Sequence, residues 1–223
     1  MDLQYVFYHL KTLSNVCVYN FFNVLVLVSA MVFICLVVRI YAKLTKIINE
    51  IESFAWEMVI DLHKATLTND VTEAINLMQK CPEVINHLHP IDGYSPFMRA
   101  CLNGNEQLVS EMLNLGADIN LKSANGEPPL YLAVYYHIQQ PKILNAACIR
   151  TLYYKKCDLN ATNKNGYTAL QLAAYFGHTS LVCWLLNKGA SVFVQPSPHN
   201  IALSRGHRDT ARLLRQLHVR AIE

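Results

Sequence analysis

The sequence has few charged residues and no recognisable catalytic motif, and these two absences limit what the protein can do. Charged residues make up 16% of the 223 residues, whereas hydrophobic residues make up 52%. The formal net charge of +3 is too small to indicate nucleic-acid binding. The sequence contains no Walker loop, dinucleotide fingerprint, nucleophile elbow or zincin motif. We therefore expect no enzyme, no cofactor and no small-molecule substrate.

The cysteines also lack a recognisable pattern. There are seven, an odd number, and their spacings match no disulfide framework. A secreted disulfide scaffold is therefore not favoured, and a reducing compartment fits the main domain better. Cys81, His87 and His89 have no fourth ligand at a suitable spacing, so we expect no metal site.

Charge is absent from one long segment near the N-terminus. No charged residue lies between Lys11 and Arg39, and the densest apolar stretch predicts a transmembrane helix over 20–38. A buried core helix would carry a polar stripe that this segment hardly has. A cleaved signal peptide is the other alternative, but the apolar run continues beyond the small residues at 28–30. An uncleaved signal-anchor in a single-pass protein fits best.

The charges that flank this segment predict its orientation. Arg39, Lys43 and Lys46 follow the span, whereas Lys11 precedes it, so the larger C-terminal part should face the cytosol. The endoplasmic reticulum or the plasma membrane is favoured over the mitochondrial outer membrane. Cys35 lies close enough to Arg39 to be acylated, although cysteine is common in membrane helices.

Two helical segments flank the predicted span. Residues 1–19 carry apolar positions that suit an amphipathic helix at the membrane interface. Residues 39–57 form a predicted helical linker with a heptad-like apolar seam. This seam is shorter than a coiled coil usually requires. The linker therefore either packs on the domain that follows or forms a parallel dimer.

From residue 58 onward the sequence repeats itself. Pro96 and Pro129 occupy equivalent places 33 residues apart. The clearest units are Asp92–Asn120 and Asn165–Val192, and a third begins at Asn125. Positions with turn glycines, small helix residues and helix-terminal glycines recur in register: Gly93, Ser95, Pro96, Ala100, Gly104, Gly116, Ala117, Asp118; Gly126, Pro129, Leu130, Ala133, Asp158; Gly166, Thr168, Leu170, Ala173, Ala174, Gly177, His178, Gly189, Ala190.

These residues resemble the pattern of the ankyrin-repeat family over about 160 residues. The resemblance implies an all-α solenoid of about five helix–turn–helix units, preceded here by the transmembrane helix and the linker. The predicted repeat domain covers 58–223, and its units are approximately 58–91, 92–124, 125–164, 165–195 and 196–220. A single unit cannot bury its own apolar face, so neighbouring units must stack.

The third unit departs from the pattern. Its segment 137–147 is about seven residues longer than its counterparts, and His137 and Ile138 replace the usual Gly-His pair. We expect Pro141 to cap or start the outer helix after an enlarged loop between the two helices. The sequence does not indicate what this loop does.

The resemblance also indicates where a partner protein would bind, because the family's partners usually contact the hairpin tips and the exposed face of the inner helices. Aromatic residues are frequent at these positions and suit an interface, since large rings bury much area at small entropic cost. The predicted partner-binding residues are Tyr94, Glu127, Tyr135, Tyr136, Tyr167, Tyr175 and Phe176. The alternative is that some of these rings pack beneath the linker or the long third-unit segment.

The last unit is rich in arginine. Arg205, Arg208, Arg212 and Arg215 suit a solvated end cap, and contact with anionic lipid headgroups is an alternative.

The sequence thus predicts a non-enzymatic, membrane-anchored adaptor or scaffold that recruits a protein partner through a concave aromatic face. Two alternatives are an accessory subunit that docks into a membrane complex through its transmembrane helix and an ankyrin-type inhibitor that masks a cytosolic target. The identity of the partner, the membrane and the oligomeric state are not indicated.

Overall fold

The computed structural model describes the backbone of residues 3–140 and 146–220, and the side chains of residue 29 and of 31–140 and 146–216. The chain divides into two compact units, Met1–Phe54 and Ala55–Glu223. The described backbone is helical, with ten α-helices, one 3-10 helix and no strand beyond an isolated bridge between Thr162 and Thr168. This confirms the predicted all-α class.

The described residues of the first compact unit form one helix. Helix α1 (Leu3–Leu67) covers it and continues into the second unit. The seam residues Ile40, Leu44, Ile47 and Ile51 are each at least half exposed. Lys46 and Glu50, one turn apart, form an exposed ion pair of 3.8 Å.

The transmembrane segment predicted over 20–38 falls largely outside the described side chains, because those of 20–28 and 30 are not among them. Within the described residues, no helix combines the length and the apolar character needed to cross a bilayer. The side chains of the predicted amphipathic segment 1–19 also lie outside the described part of the chain.

In the second unit, helices follow one another in antiparallel pairs. The C-terminal part of α1 precedes α2 (Val71–Lys80) and a 3-10 helix (Pro82–Asn86). The later pairs are α3 (Pro96–Leu102) with α4 (Glu106–Asn114), α5 (Pro129–Gln139) with α6 (Ala147–Tyr154), α7 (Ala169–Tyr175) with α8 (Thr179–Asn187), and α9 (Pro198–Ser204) with α10 (Arg208–Arg220).

The helices of successive pairs stack into two layers. Helices α3, α5, α7 and α9 pack side by side as the inner layer, and the second helix of each pair lies in the outer layer. The side chains of Ala100, Ala133 and Ala173 are buried at the inner contacts. Small residues at these positions allow the inner helices to approach closely, which buries the apolar face that one pair cannot cover alone.

Local sequence explains where the inner helices begin. The Ser95 hydroxyl caps α3 by accepting from the backbone N–H of Met98 at 3.2 Å, and Pro96 occupies the first turn, where its missing N–H costs nothing. Thr168 and Gln171 form a reciprocal capping box at the start of α7.

The third pair differs from its neighbours and from our expectation. Helix α5 has 11 residues, whereas α3 and α7 have 7 each, so His137 and Ile138 extend the helix instead of ending it. The outer helix α6 begins at Ala147 with Ala146 as its N-cap, so the prediction that Pro141 caps or starts it is wrong. Part of the insertion therefore lengthens the inner helix. Pro141 itself lies in 141–145, outside the described residues.

Candidate protein-binding groove

A groove lies along the inner face of the third and fourth helix pairs. Its volume is about 360 Å³, towards the lower end of the roughly 300–1,000 Å³ typical of ligand sites. We call it the aromatic groove. Its described lining residues are Glu127, Tyr131, Tyr135, Asn163, Asn165, Tyr167, Gln171, Leu172, Tyr175 and Phe176.

Helical spacing brings several of these residues together. Tyr131 and Tyr135 are four residues apart on α5, and Gln171 and Tyr175 are four apart on α7, so each pair lies on one helix face. Phe176 follows Tyr175 at the end of α7, and the two ring centroids are 5.1 Å apart in an edge-to-face arrangement. Helices α5 and α7, which pack against each other, thus both contribute rings to the groove.

Glu127 is held in place by the preceding hairpin. Its carboxylate oxygen Oε2 accepts from the Tyr94 hydroxyl at 2.9 Å and from the Ser123 hydroxyl at 3.0 Å. Its backbone N–H donates to the Ser123 oxygen at 3.1 Å. These bonds link the second and third units at the edge of the groove.

The phenols beside this carboxylate resist ionisation. Burial, followed by the hydrogen bond to Glu127, raises the pKa of Tyr94 to about 12. Burial is also the largest cause that raises the pKa of Tyr131, and the negative charge of Glu127 adds to it. Both phenols are therefore neutral donors over the physiological pH range.

The hairpin of the fourth unit is fixed by Asn163. Its side-chain oxygen accepts from the backbone N–H groups of Asn165 and Tyr167, each at 3.0 Å. Gln171 is fixed as well, since its Oε1 accepts from Thr168 N–H at 2.7 Å and its Nε2 donates to Pro196 O at 2.6 Å. The groove is therefore built on positions that the fold itself restrains.

The structure brings most of the predicted partner-binding residues to this groove. Five of the seven line it: Glu127, Tyr135, Tyr167, Tyr175 and Phe176. Tyr94 contacts the groove through Glu127. Tyr136 is not among the lining residues and lies against Gly104, between the second and third units. Their role in binding stays a prediction.

Several lining residues were not predicted. Tyr131 is the most informative of them, since its spacing of one helical turn from Tyr135 is visible in the sequence. Asn163 and Asn165 lie in the hairpin, where asparagine commonly serves turns, so their sequence gives no separate signal.

The arginines of the last unit do not act as one group. Arg205, Arg208, Arg212 and Arg215 are all exposed. The Arg205 guanidinium lies over the Tyr175 ring, 4.0 Å from its centroid, and Arg212 pairs with Asp209 at 3.4 Å. Arg215 lines a separate depression with Val192, Ser197, Pro198, His199 and Leu214. Arg205 therefore belongs to the edge of the aromatic groove.

The lining of the groove shows no arrangement typical of catalysis among the described residues. Its described lining contains aromatic rings, amides and one carboxylate, without a paired acid, base or nucleophile. Among the described residues, no group of three or more histidine, cysteine, aspartate or glutamate side chains could hold a metal ion.

Comparison with known proteins agrees with this architecture. A model of ankyrin repeats in three copies matches residues 62–146, and a model of ankyrin repeats in many copies matches 145–186. The chain belongs to the ankyrin-repeat family. Ankyrin repeats generally serve as protein-interaction modules.

The chain is also similar to parts of longer proteins. It is 30% identical over 102 residues to NF-kappa-B inhibitor alpha of Homo sapiens, covering 45% of this chain and 32% of the relative. It is 29% identical over 126 residues to Alpha-latroinsectotoxin-Lt1a of Latrodectus tredecimguttatus, covering 56% of this chain and 8% of the relative. The chain spans less than a third of the length of each of these relatives.

Proposed function

We propose that the protein is a non-enzymatic adaptor that is anchored in a membrane through 20–38 and binds a protein partner in the aromatic groove. The groove carries the proposal. It places five aromatic side chains around one restrained carboxylate, on the inner face of a repeat array. Tyr135, Tyr175 and Phe176 are each 37–41% exposed, so their rings have surface left to bury against a partner.

The anchor rests on the sequence. The charge-free stretch between Lys11 and Arg39 is long enough for a helix to cross a bilayer of roughly 30 Å. The basic residues after it favour a cytosolic repeat domain. Resistance to alkaline carbonate extraction tests this part. Val32→Lys/Leu36→Lys should release the protein, whereas Ile47→Lys in the linker should not. Release of the wild-type protein would contradict the anchor.

Proximity labelling in cells, with the labelling enzyme fused to the C-terminus, tests the groove. Tyr135→Ala/Tyr175→Ala removes two of the rings that line the groove and should abolish labelling of the partner. Tyr154→Ala is the matched control, because Tyr154 is 71% exposed on the outer helix α6 and not among the groove's lining residues. Partners that persist in the double variant would favour an accessory subunit that docks through its membrane segment.

A second candidate is an inhibitor that masks its target. The similarity to NF-kappa-B inhibitor alpha favours it, and such an inhibitor would not need the anchor. Proximity labelling with the Val32→Lys/Leu36→Lys variant distinguishes the inhibitor from the anchored adaptor. An inhibitor should keep its groove-dependent partner when released from the membrane, whereas a membrane-resident partner of the adaptor should be lost.

A further inference from the structure

The chemistry of the aromatic groove is selective for charge. The faces of its four tyrosines and one phenylalanine carry partial negative charge, which attracts cations placed above them. Glu127 adds a full negative charge, and no lysine or arginine is among the described lining residues. An anion would meet repulsion here, and a purely apolar group would leave the carboxylate desolvated without a partner.

Both edges of the groove already hold a cation of the chain itself. The Arg205 guanidinium lies 4.0 Å from the Tyr175 ring centroid. At the other edge, the Arg99 guanidinium lies 4.9 Å from the ring centroid of Tyr94, the tyrosine bonded to Glu127. The rings of Tyr131, Tyr135 and Tyr167 lie between these two edges, and none of the cation–π contacts of the described residues involves them.

Glu127 has capacity for a further donor. The hydrogen bonds that described residues donate to its carboxylate both reach Oε2. Oε1 can therefore accept from an incoming ammonium or guanidinium group, and a bond between charged groups is stronger than one between neutral groups. The restraint on Oε2 keeps the acceptor in place before the ligand arrives.

We propose that the aromatic groove binds a lysine or arginine side chain of the partner protein, with the cation between the tyrosine rings and the Glu127 carboxylate. The inference rests on the proposed function, in which this groove is the partner site. The volume of about 360 Å³ suits one long side chain and its adjoining backbone better than a folded surface.

Three peptides that differ at one position test the proposal. They are acetyl-Gly-Gly-Xaa-Gly-Gly-amide with lysine, arginine or norleucine at Xaa, where norleucine resembles lysine without its ammonium group. Each is titrated into the full chain in a maltoside detergent, which carries no cation of its own. The side-chain amide NMR signals of Asn163 and Asn165, both lining the groove, report binding.

The lysine or arginine peptide should shift these signals and bind roughly 3- to 30-fold more tightly than the norleucine peptide, as expected for a cation–π contact. Glu127→Gln keeps the shape of the side chain and should remove most of this preference, whereas Tyr135→Ala should abolish binding. The Tyr154→Ala control should bind like the wild type. Tryptophan fluorescence shows whether each variant is folded, since both Trp56 and Trp184 lie in the compact unit Ala55–Glu223, which contains the repeats.

Two results would overturn the inference. One is equal binding of the norleucine and cationic peptides, and the other is the absence of any shift from all three. Neither would refute the proposed function if the labelled partner still depends on Tyr135 and Tyr175. Loss of that dependence would refute the groove as the partner site, whatever the peptides show. A difference between lysine and arginine identifies which cation the groove prefers.

Discussion

The hydroxyl of Tyr94 donates to the carboxylate of Glu127 over 2.9 Å, although the two residues are 33 positions apart in the chain. Both occupy the position after a turn glycine, Gly93 and Gly126, in successive repeats. The bond therefore joins equivalent points of neighbouring repeats. It also holds Glu127, the one acidic residue in the described lining of the groove, so the stability of the array and the position of this carboxylate depend on the same contact. Repeat proteins depend on such contacts between nearest neighbours.

Tyr94→Phe should destabilise the repeat domain by about 1 kcal/mol, because it removes one hydrogen bond to a charged group at a half-buried site. Urea denaturation followed by tryptophan fluorescence measures this change, since both tryptophans lie in the compact unit Ala55–Glu223. Tyr154→Phe removes an equivalent hydroxyl from an exposed position on α6 and should have almost no effect. Equal stability of the two variants would show that the Tyr94–Glu127 bond contributes nothing.

Gly104 provides a second test, at the contact between the second and third units. It has a φ of +68°, and an added Cβ would overlap the ring of Tyr136. Gly116 has a φ of +97° but open space around it. Alanine at either site adds backbone strain of roughly 1–2 kcal/mol. Gly104→Ala should cost about 1 kcal/mol more than Gly116→Ala, because Tyr136 must also move. Equal urea midpoints would contradict the packing role of Tyr136.

Gln171 is buried and uses both ends of its amide. Gln171→Glu keeps the acceptor for Thr168 N–H but cannot donate to Pro196 O when ionised. We expect a loss of about 2 kcal/mol or more near neutral pH. A protonated carboxyl can donate, so part of the loss should recover at acid pH. Gln107→Glu, on the exposed first turn of α4, is the matched control and should be nearly neutral. Equal denaturation midpoints for both variants would contradict the role of the Pro196 bond.

The helix starts of the repeats could be predicted because their causes are local. Pro96, Pro129 and the Thr168 capping residue act within one turn of the helix that they begin. The length of α5 could not be predicted in this way. Helix α5 continues through Gln139 and so includes the first three residues of the 137–147 segment, and packing rather than local sequence decides where it ends.

The composition of the groove was predictable only in part. Tyr135 and Tyr136 are consecutive within α5, so their side chains are about 100° apart around the helix, and only Tyr135 lines the groove. Tyr131 shares the face of Tyr135, and the family pattern, which points to variable positions near the helix end, does not include it. Tyr175 and Phe176, at the end of α7, are also consecutive, and both line the groove.

We expect the stability of the first repeat to depend on pH through His63. It is buried on the C-terminal part of α1, where its Nε2 lies 3.4 Å from the carbonyl oxygen of His87 and its ring centroid lies 4.7 Å from that of His89. Burial, as the largest cause, lowers the pKa of His63 to about 4. The folded protein therefore keeps this imidazole neutral under conditions that protonate it in the unfolded chain.

The free energy of unfolding should therefore decrease as the pH is lowered, because of this residue. Below the ordinary pKa of 6.5 the unfolded chain binds a proton that folded His63 does not bind, so the free energy of unfolding decreases until the pH reaches about 4. His63→Gln, whose amide can still donate to His87 O, removes this proton and should unfold with a shallower acid dependence. We expect the wild type to lose about 2 kcal/mol more than this variant between about pH 7 and pH 4.5. The slope of the urea midpoint against pH, compared between the wild type and His63→Gln, measures this difference. If the slope of His63→Gln equals that of the wild type, the imidazole takes up its proton without cost, and burial at this site does not govern the acid sensitivity of the fold.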